Sequence, residues 1–178
     1  MKILKYIGLG ILGIIALILI IAAFTKKEYA VERELTINKP KMEVFEYVKL
    51  LKNQDNFSVW AMMDPNMKKE FTGTDGTVGA VSAWDSEVKN VGKGEQEIIK
   101  ITEGERIDTE LRFMKPFEAT DYAYFAFASV DSVQTNVKWG FTGKMPYPMN
   151  FMLLCMDMDG MLGKDLAKGL ENLKGVME

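Results

Sequence analysis

YAVERELTINKPKMEVFEYV, residues 29–48, carries two hydrophobic periods end to end. Val31, Arg33, Leu35 and Ile37 alternate with Ala30, Glu32, Glu34 and Thr36, the period of two that marks a strand. Asn38 and Pro40 break the alternation. Proline has no N–H to give a sheet ladder, but its fixed φ suits the first turn of a helix. Beyond it Val44, Phe45, Val48 and Leu51 recur at helical spacing and make one apolar stripe. A strand that turns at once into an amphipathic helix opens the body of this chain.

Toward the C-terminus, NQDNFSVWAMMDP is irregular and stops at Pro65. Residues 68–142 then read as antiparallel strands joined by tight turns. Thr74-Asp75-Gly76 is one such turn, and Gly92 and Gly94 bracket another. Val78, Ala80, Ser82 and Trp84 share one side of a strand; Ile107, Thr109, Leu111 and Phe113 share one side of a second. DYAYFAFAS, residues 121–129, is apolar on both faces. Val133, Thr135, Val137, Trp139 and Phe141 form the inward side of the last strand. After Pro146 and Pro148 the chain closes with a helix. Met158, Leu162, Leu166, Leu170, Leu173 and Met177 line one face of it, with Lys164, Lys168, Glu171 and Lys174 outside. Strand, helix, several strands and a long helix make an α+β body.

Toward the N-terminus, Tyr6 to Phe24 is a run of nineteen residues without a charge. As a helix rising about 1.5 Å per residue it reaches roughly 30 Å, the thickness of a bilayer core. The run is longer than a usual signal-peptide core, and Phe24 spoils the natural cleavage position after Ala22. Residues 1–27 are therefore expected to be an uncleaved membrane anchor, with a transmembrane helix at about 6–24, and residues 28–178 the domain it carries. That makes a single-pass protein of the cell membrane. Lysines stand at both ends of the run; the short basic N-terminus favours a body outside the cytoplasm.

Composition removes several function classes. The chain of 178 residues has no histidine, which excludes imidazole catalysis and His-ligated zinc. One cysteine forms no internal disulfide. Residues 28–178 carry 18 basic and 25 acidic groups, a net −7 that suits no nucleic-acid backbone.

The order of elements, together with VERELTINKPKMEVFEYV at 31–48, the tryptophan of FSVW with the DP after it, GTVGAVSAW at 76–84 and the segment from Met161 through GKDLAKGLENLK, resembles the SRPBCC superfamily of START-like, polyketide-cyclase-like domains. The resemblance covers nearly all of residues 30–176. It implies a helix-grip fold: a curved antiparallel sheet wrapped around the long C-terminal helix, with an apolar cavity between them. Members of that superfamily bind lipids, hormones, polyketides and other hydrophobic molecules, and only some are catalysts. No universal catalytic motif carries over to this sequence.

Cavity positions are then expected at Trp60, Trp84, Leu111, Phe113, Trp139, Met158 and Met161. Trp84 and Trp139 have the inward phase of their strands, although large aromatics also serve as plain core. Glu95 and Glu97 are the secondary, catalytic candidates. With Ile99 and Ile101 taken as inward, alternation places both carboxyls on the cavity rim, where raised pKa values suit acid–base work. Met145, Met149, Met152, Met156, Met158 and Met161 cluster around Cys155, a soft set suited to Cu(I). Their irregular spacing and the missing histidine favour adaptable apolar lining instead. Asp157, Asp159 and Gly160 lack the later ligands of a calcium loop, and the GTDG and GKGE segments lack a phosphate-loop frame. No metal and no cofactor is expected. The leading reading is a membrane-tethered domain that binds a hydrophobic or amphipathic small molecule or lipid. The alternatives are a cyclase- or hydrolase-like enzyme using cavity carboxylates, and a structural domain that docks a partner through its surface.

Overall fold

The computed structural model describes residues 2–178, with side chains from Ile3 onward. Helix α1, Lys2–Phe24, precedes strand β1, Glu28–Ile37. Pro40 directly precedes α2, Lys41–Lys49, whose buried stripe is Val44, Phe45 and Val48. A 3-10 turn, Leu51–Asn56, and the short α3, Val59–Met63, occupy the irregular stretch. Strands β2 (Lys68–Thr72), β3 (Val81–Asp85), β4 (Lys93–Thr102), β5 (Arg106–Lys115), β6 (Ala119–Ser129) and β7 (Thr135–Lys144) follow. A second 3-10 segment, Met149–Leu154, leads into α4, Met158–Met177.

The seven strands form one antiparallel sheet in the order β1-β7-β6-β5-β4-β3-β2. The first strand thus pairs with the last, Tyr29 against Gly143 and Arg33 against Trp139. Val133 falls short of β7 and is exposed in the loop before it. Helix α4 lies along β1 and β7, burying Leu166, Leu170 and Leu173 as its apolar period requires. Each such leucine contributes roughly 1.5–3 kcal/mol by leaving water. Aromatic rings fill the space between helix and sheet: Phe57 and Phe125 meet edge-on at 6.0 Å, and Phe125 stacks on Trp139 at 4.7 Å. This is the helix-grip architecture.

Both ends of α4 are tied to β1. At the start, Asp157 caps the helix by accepting from the Gly160 amide at 2.9 Å. Arg33 donates to both carboxylate oxygens of Asp159, at 2.9 and 2.8 Å. Its guanidinium occupies the space a Cβ on Gly163 would need, so a larger residue there would have to displace it. At the far end Lys174 donates to the Thr36 carbonyl at 3.0 Å, and Glu178 accepts from the Asn38 amide at 2.7 Å.

Helix α1 stands apart from this core. Its described side chains are exposed except for Ala22, which is fully buried, and the half-buried Ile18 one turn earlier. The element it packs against is the 3-10 segment Met149–Leu154. By length and composition Ile3–Phe24 is apolar enough to cross a membrane, a property a signal sequence shares.

Candidate functional site

A cavity of about 330 Å³ opens between the sheet, α3 and the first turns of α4. That volume lies in the range of small-molecule sites. It sits at the end of the sheet where β1, β4 and β6 begin and β3, β5 and β7 finish, the end at which α1 joins the body.

Strand register explains the lining. Phe113 pairs with Gly94, and Gly94 with Trp84, so one row of the inner face is aromatic. The Trp84 ring lies over Gly94, where a Cβ would come within 2.7 Å of it, and the indole N–H donates to the Val91 carbonyl at 3.2 Å. The next row runs through Asp121, Leu111, Gln96, Ser82 and Phe71, each paired with the one before it. Three polar side chains therefore reach the cavity from a single row: Asp121, Gln96 and Ser82. Gln96 donates to Thr109 at 3.0 Å, which fixes the amide. The floor and the α4 side are apolar, with Trp139, Phe141, Met158, Leu162 and Leu166, and Trp60 contributes from α3. Trp60 and Trp139 meet edge-on at 6.0 Å.

Asp121 is the group with the most unusual surroundings. It is 6% exposed, and one of its oxygens accepts from the Lys144 amide at 3.1 Å. Burial pushes its carboxyl above the ordinary carboxylate value, only partly opposed by that hydrogen bond. Tyr29 lines the cavity as well, and its phenol is pushed up to about 12 by burial and then by the charge of Asp121. A hydroxyl or amine on a ligand finds an acceptor at Asp121 and both kinds of group at Gln96.

Trp60, Trp84, Leu111, Phe113, Trp139 and Met158 all line this cavity. Met161 is absent from the lining and is 52% exposed. It lies off the stripe of Met158, Leu162 and Leu166, so the helix turns it to solvent and places Leu162 inside instead. Glu95 and Glu97 differ from the expectation in a more instructive way. A bulge between Ile98 and Lys100 shifts the phase of β4 by one residue, burying Ile98 and turning Ile99 outward. Counting back from an inward Ile99 therefore gives the wrong face. Gln96 enters the cavity, while Glu95 and Glu97 join Glu110 around Arg112 outside it, with N–O distances of 2.6, 2.8 and 2.6 Å. Those three carboxylates raise the Arg112 pKa further above its ordinary value. They are ion-paired groups on the outer face.

Asp121 is hidden in the sequence because DYAYFAFAS is apolar enough to look two-faced. Its one signal is phase: Asp121 falls on the same side as Phe125 and Phe127, both buried. Gln96 has no comparable signal, since its phase depends on the bulge.

No family model matches the sequence. No curated protein sequence matches it either. Solved structures do. Ginseng major latex-like protein 151 from Panax ginseng superimposes with a TM-score of 0.60 at 12% identity, covering 86% of this chain and 99% of that one. The Aha1 dimer from Colwellia psychrerythraea gives 0.57 at 12% identity, over 84% and 96% of the two chains. Ara h 8.0201 gives 0.57 at 15% identity, over 84% and 97%. At such identities the likeness is one of fold. The curved sheet and α4 share with these proteins the Bet v 1-like helix-grip fold.

Proposed function

We propose that this protein is a membrane-tethered receptor for an apolar or amphipathic small molecule, held between the sheet and α4. The observation that carries the reading is the cavity itself. Aromatic and aliphatic side chains line most of it; the polar row of Asp121, Gln96 and Ser82, in which Leu111 separates the first two, reaches it from the sheet, and Gln54, Asp55, Ser58, Lys69 and Asn90 complete the lining. Apolar walls supply affinity, and a few placed polar groups set orientation. The ligand class that fits is a largely hydrophobic molecule with one hydroxyl, amine or amide end. Residues 1–27 act as the anchor and 28–178 as the binding domain; the apolar, lipid-suited surface of α1 supports this division.

An enzymatic role rests on Asp121 rather than on Glu95 or Glu97. Asp121 is the acid inside the cavity whose pKa is raised, and a raised carboxyl is suited to proton transfer. No histidine stands in the chain to assist it. Binding therefore remains the first reading.

Native mass spectrometry of the full chain, released gently from its own membrane, tests it. A single small-molecule adduct per chain is expected, lost on collisional heating. A chain that always appears bare, and that takes up no fatty-acid or aromatic probe, contradicts the proposal.

A further inference from the structure

Residues 145–156, MPYPMNFMLLCM, contain no charged side chain and join β7 to α4 at the end of the body where α1 emerges. Their 3-10 segment packs on the last turns of α1. Asn150, fully buried, donates from its amide nitrogen to the carbonyls of Ala22 and Thr25 at 2.7 and 2.8 Å. Carbonyls at a helix C-terminus have no partner within the helix, and near hydrocarbon an unpartnered one is costly. A side chain from the folded body therefore completes the end of α1. The amide of Met145 adds a third tie, donating to the Lys27 carbonyl at 2.8 Å.

These contacts fix the segment's depth. Ile18 and Ala22 form the covered face of α1, and Phe24 is its last residue. Ile18 lies six residues before Phe24, about 9 Å at 1.5 Å per residue. Interfacial elements bury their apolar faces about 5–10 Å into the headgroup and acyl boundary. The side chains the segment leaves outward are those such a position requires: Tyr147, Met149 and Leu154 are 48%, 51% and 64% exposed. Phe117, in the turn between β5 and β6 at the same end of the sheet, is 81% exposed. Lys26 and Lys27 follow just after α1, and Lys115 lies two residues before Phe117, so three cations belong to this end of the body, where lipid phosphates would attract them.

We infer that residues 145–156 are a second membrane-contacting element, an uncharged foot that enters the leaflet beside the C-terminal end of α1 and seats the cavity end of the domain on the bilayer. The partner is the lipid surface itself. The inference rests on the reading of α1 as a membrane span.

Cys155, the chain's one cysteine, lies exposed in the foot and is a native labelling site. The full chain is spin-labelled there and reconstituted in vesicles of equal parts phosphatidylcholine and phosphatidylglycerol. Collision with oxygen, which concentrates in lipid, is compared with collision with a water-soluble nickel chelate. Two Cys155→Ser chains serve as references: Val133→Cys, in the exposed loop at the opposite end of the sheet, and Ile14→Cys, in mid-helix. The oxygen-to-nickel ratio at Cys155 is expected to exceed that at Val133→Cys several-fold and to approach that at Ile14→Cys. A water-like ratio at Cys155 beside a lipid-like ratio at Ile14→Cys overturns the foot and leaves the span standing. A water-like ratio at Ile14→Cys removes both. Dilution-sensitive line broadening at Cys155 would mean that a second copy covers the segment, and also overturns the inference.

Discussion

The ring of Trp139 occupies the space that a Cβ on Gly169 would take, so α4 rests against the sheet at that point with no side chain between. Alanine in place of glycine inside a helix ordinarily gains about 1 kcal/mol. Here the added methyl must displace a buried indole that also stacks on Phe125, and overpacking of this kind costs about 1–3 kcal/mol. Gly169→Ala is therefore expected to lower stability despite its better helix propensity. Gly175→Ala, in the last turn of α4 where no described atom lies within 4 Å of the new Cβ, should leave it unchanged or slightly higher. Urea melts of the two variants check this, and a stabilised Gly169→Ala would mean that the helix is not gripped there.

The burial pattern of α4 makes a second contrast. Leu166 is fully buried between the sheet and the cavity, whereas Lys168 is exposed and paired with Glu171 at 3.1 Å. Leu166→Ala is expected to cost about 2–5 kcal/mol, the range for truncating a buried leucine. Lys168→Ala should shift stability by about 0.5 kcal/mol or less. Equal losses in denaturant midpoints would contradict the fold.

Asp121 gives the domain a distinctive response to pH. Burial raises its carboxyl above the ordinary value of 3.8, so the folded chain retains a proton that the unfolded chain has already released. Stability contributed at this site therefore falls as pH rises from about 4 through the raised folded value, and the full penalty is present above it. Asp121→Asn keeps the oxygen that accepts from the Lys144 amide and removes the charge. The variant should match the parent at acid pH and become the more stable of the two as pH rises. Melts across pH 3–8 read the difference, and parallel curves would place Asp121 in water.

The proposed boundary at residue 28 has its own test. Among the described residues, none of the main core cluster precedes Val31, apart from Tyr29 packed at its edge. Residues 28–178 alone are expected to fold with the same near-ultraviolet signature of packed aromatics as the full chain. The foot, having lost Ala22 and Thr25 as partners for Asn150, should exchange its amide hydrogens faster than in the full chain. A fragment without fixed aromatic signals would show that α1 is part of the fold.

Much of this architecture was legible because it depends on period alone. Val31 and Ile37 on β1, Val44, Phe45 and Val48 on α2, and Leu166, Leu170 and Leu173 on α4 follow from repeats of two and of about 3.6 residues. What period cannot supply is a change of phase. The bulge after Ile98 moved Gln96 into the cavity and Glu95 and Glu97 out of it. Met161 shows the smaller error of extending a lining by proximity in sequence when the helix had already turned away. The docking of Asn150 on α1 joins positions 128 residues apart, beyond any local pattern.

The cavity carries its own reporter of binding. All three tryptophans, Trp60, Trp84 and Trp139, line the cavity. Titrating the full chain with a fatty-acid probe bearing a fluorophore that accepts tryptophan energy should give saturable transfer at one probe per chain. Ser82→Phe, which puts a ring into the polar row without touching α4, should weaken that binding at least tenfold while the melting temperature holds. Saturable transfer lost in the filled variant is the result predicted here; transfer that never saturates, or that Ser82→Phe leaves unchanged, would contradict it.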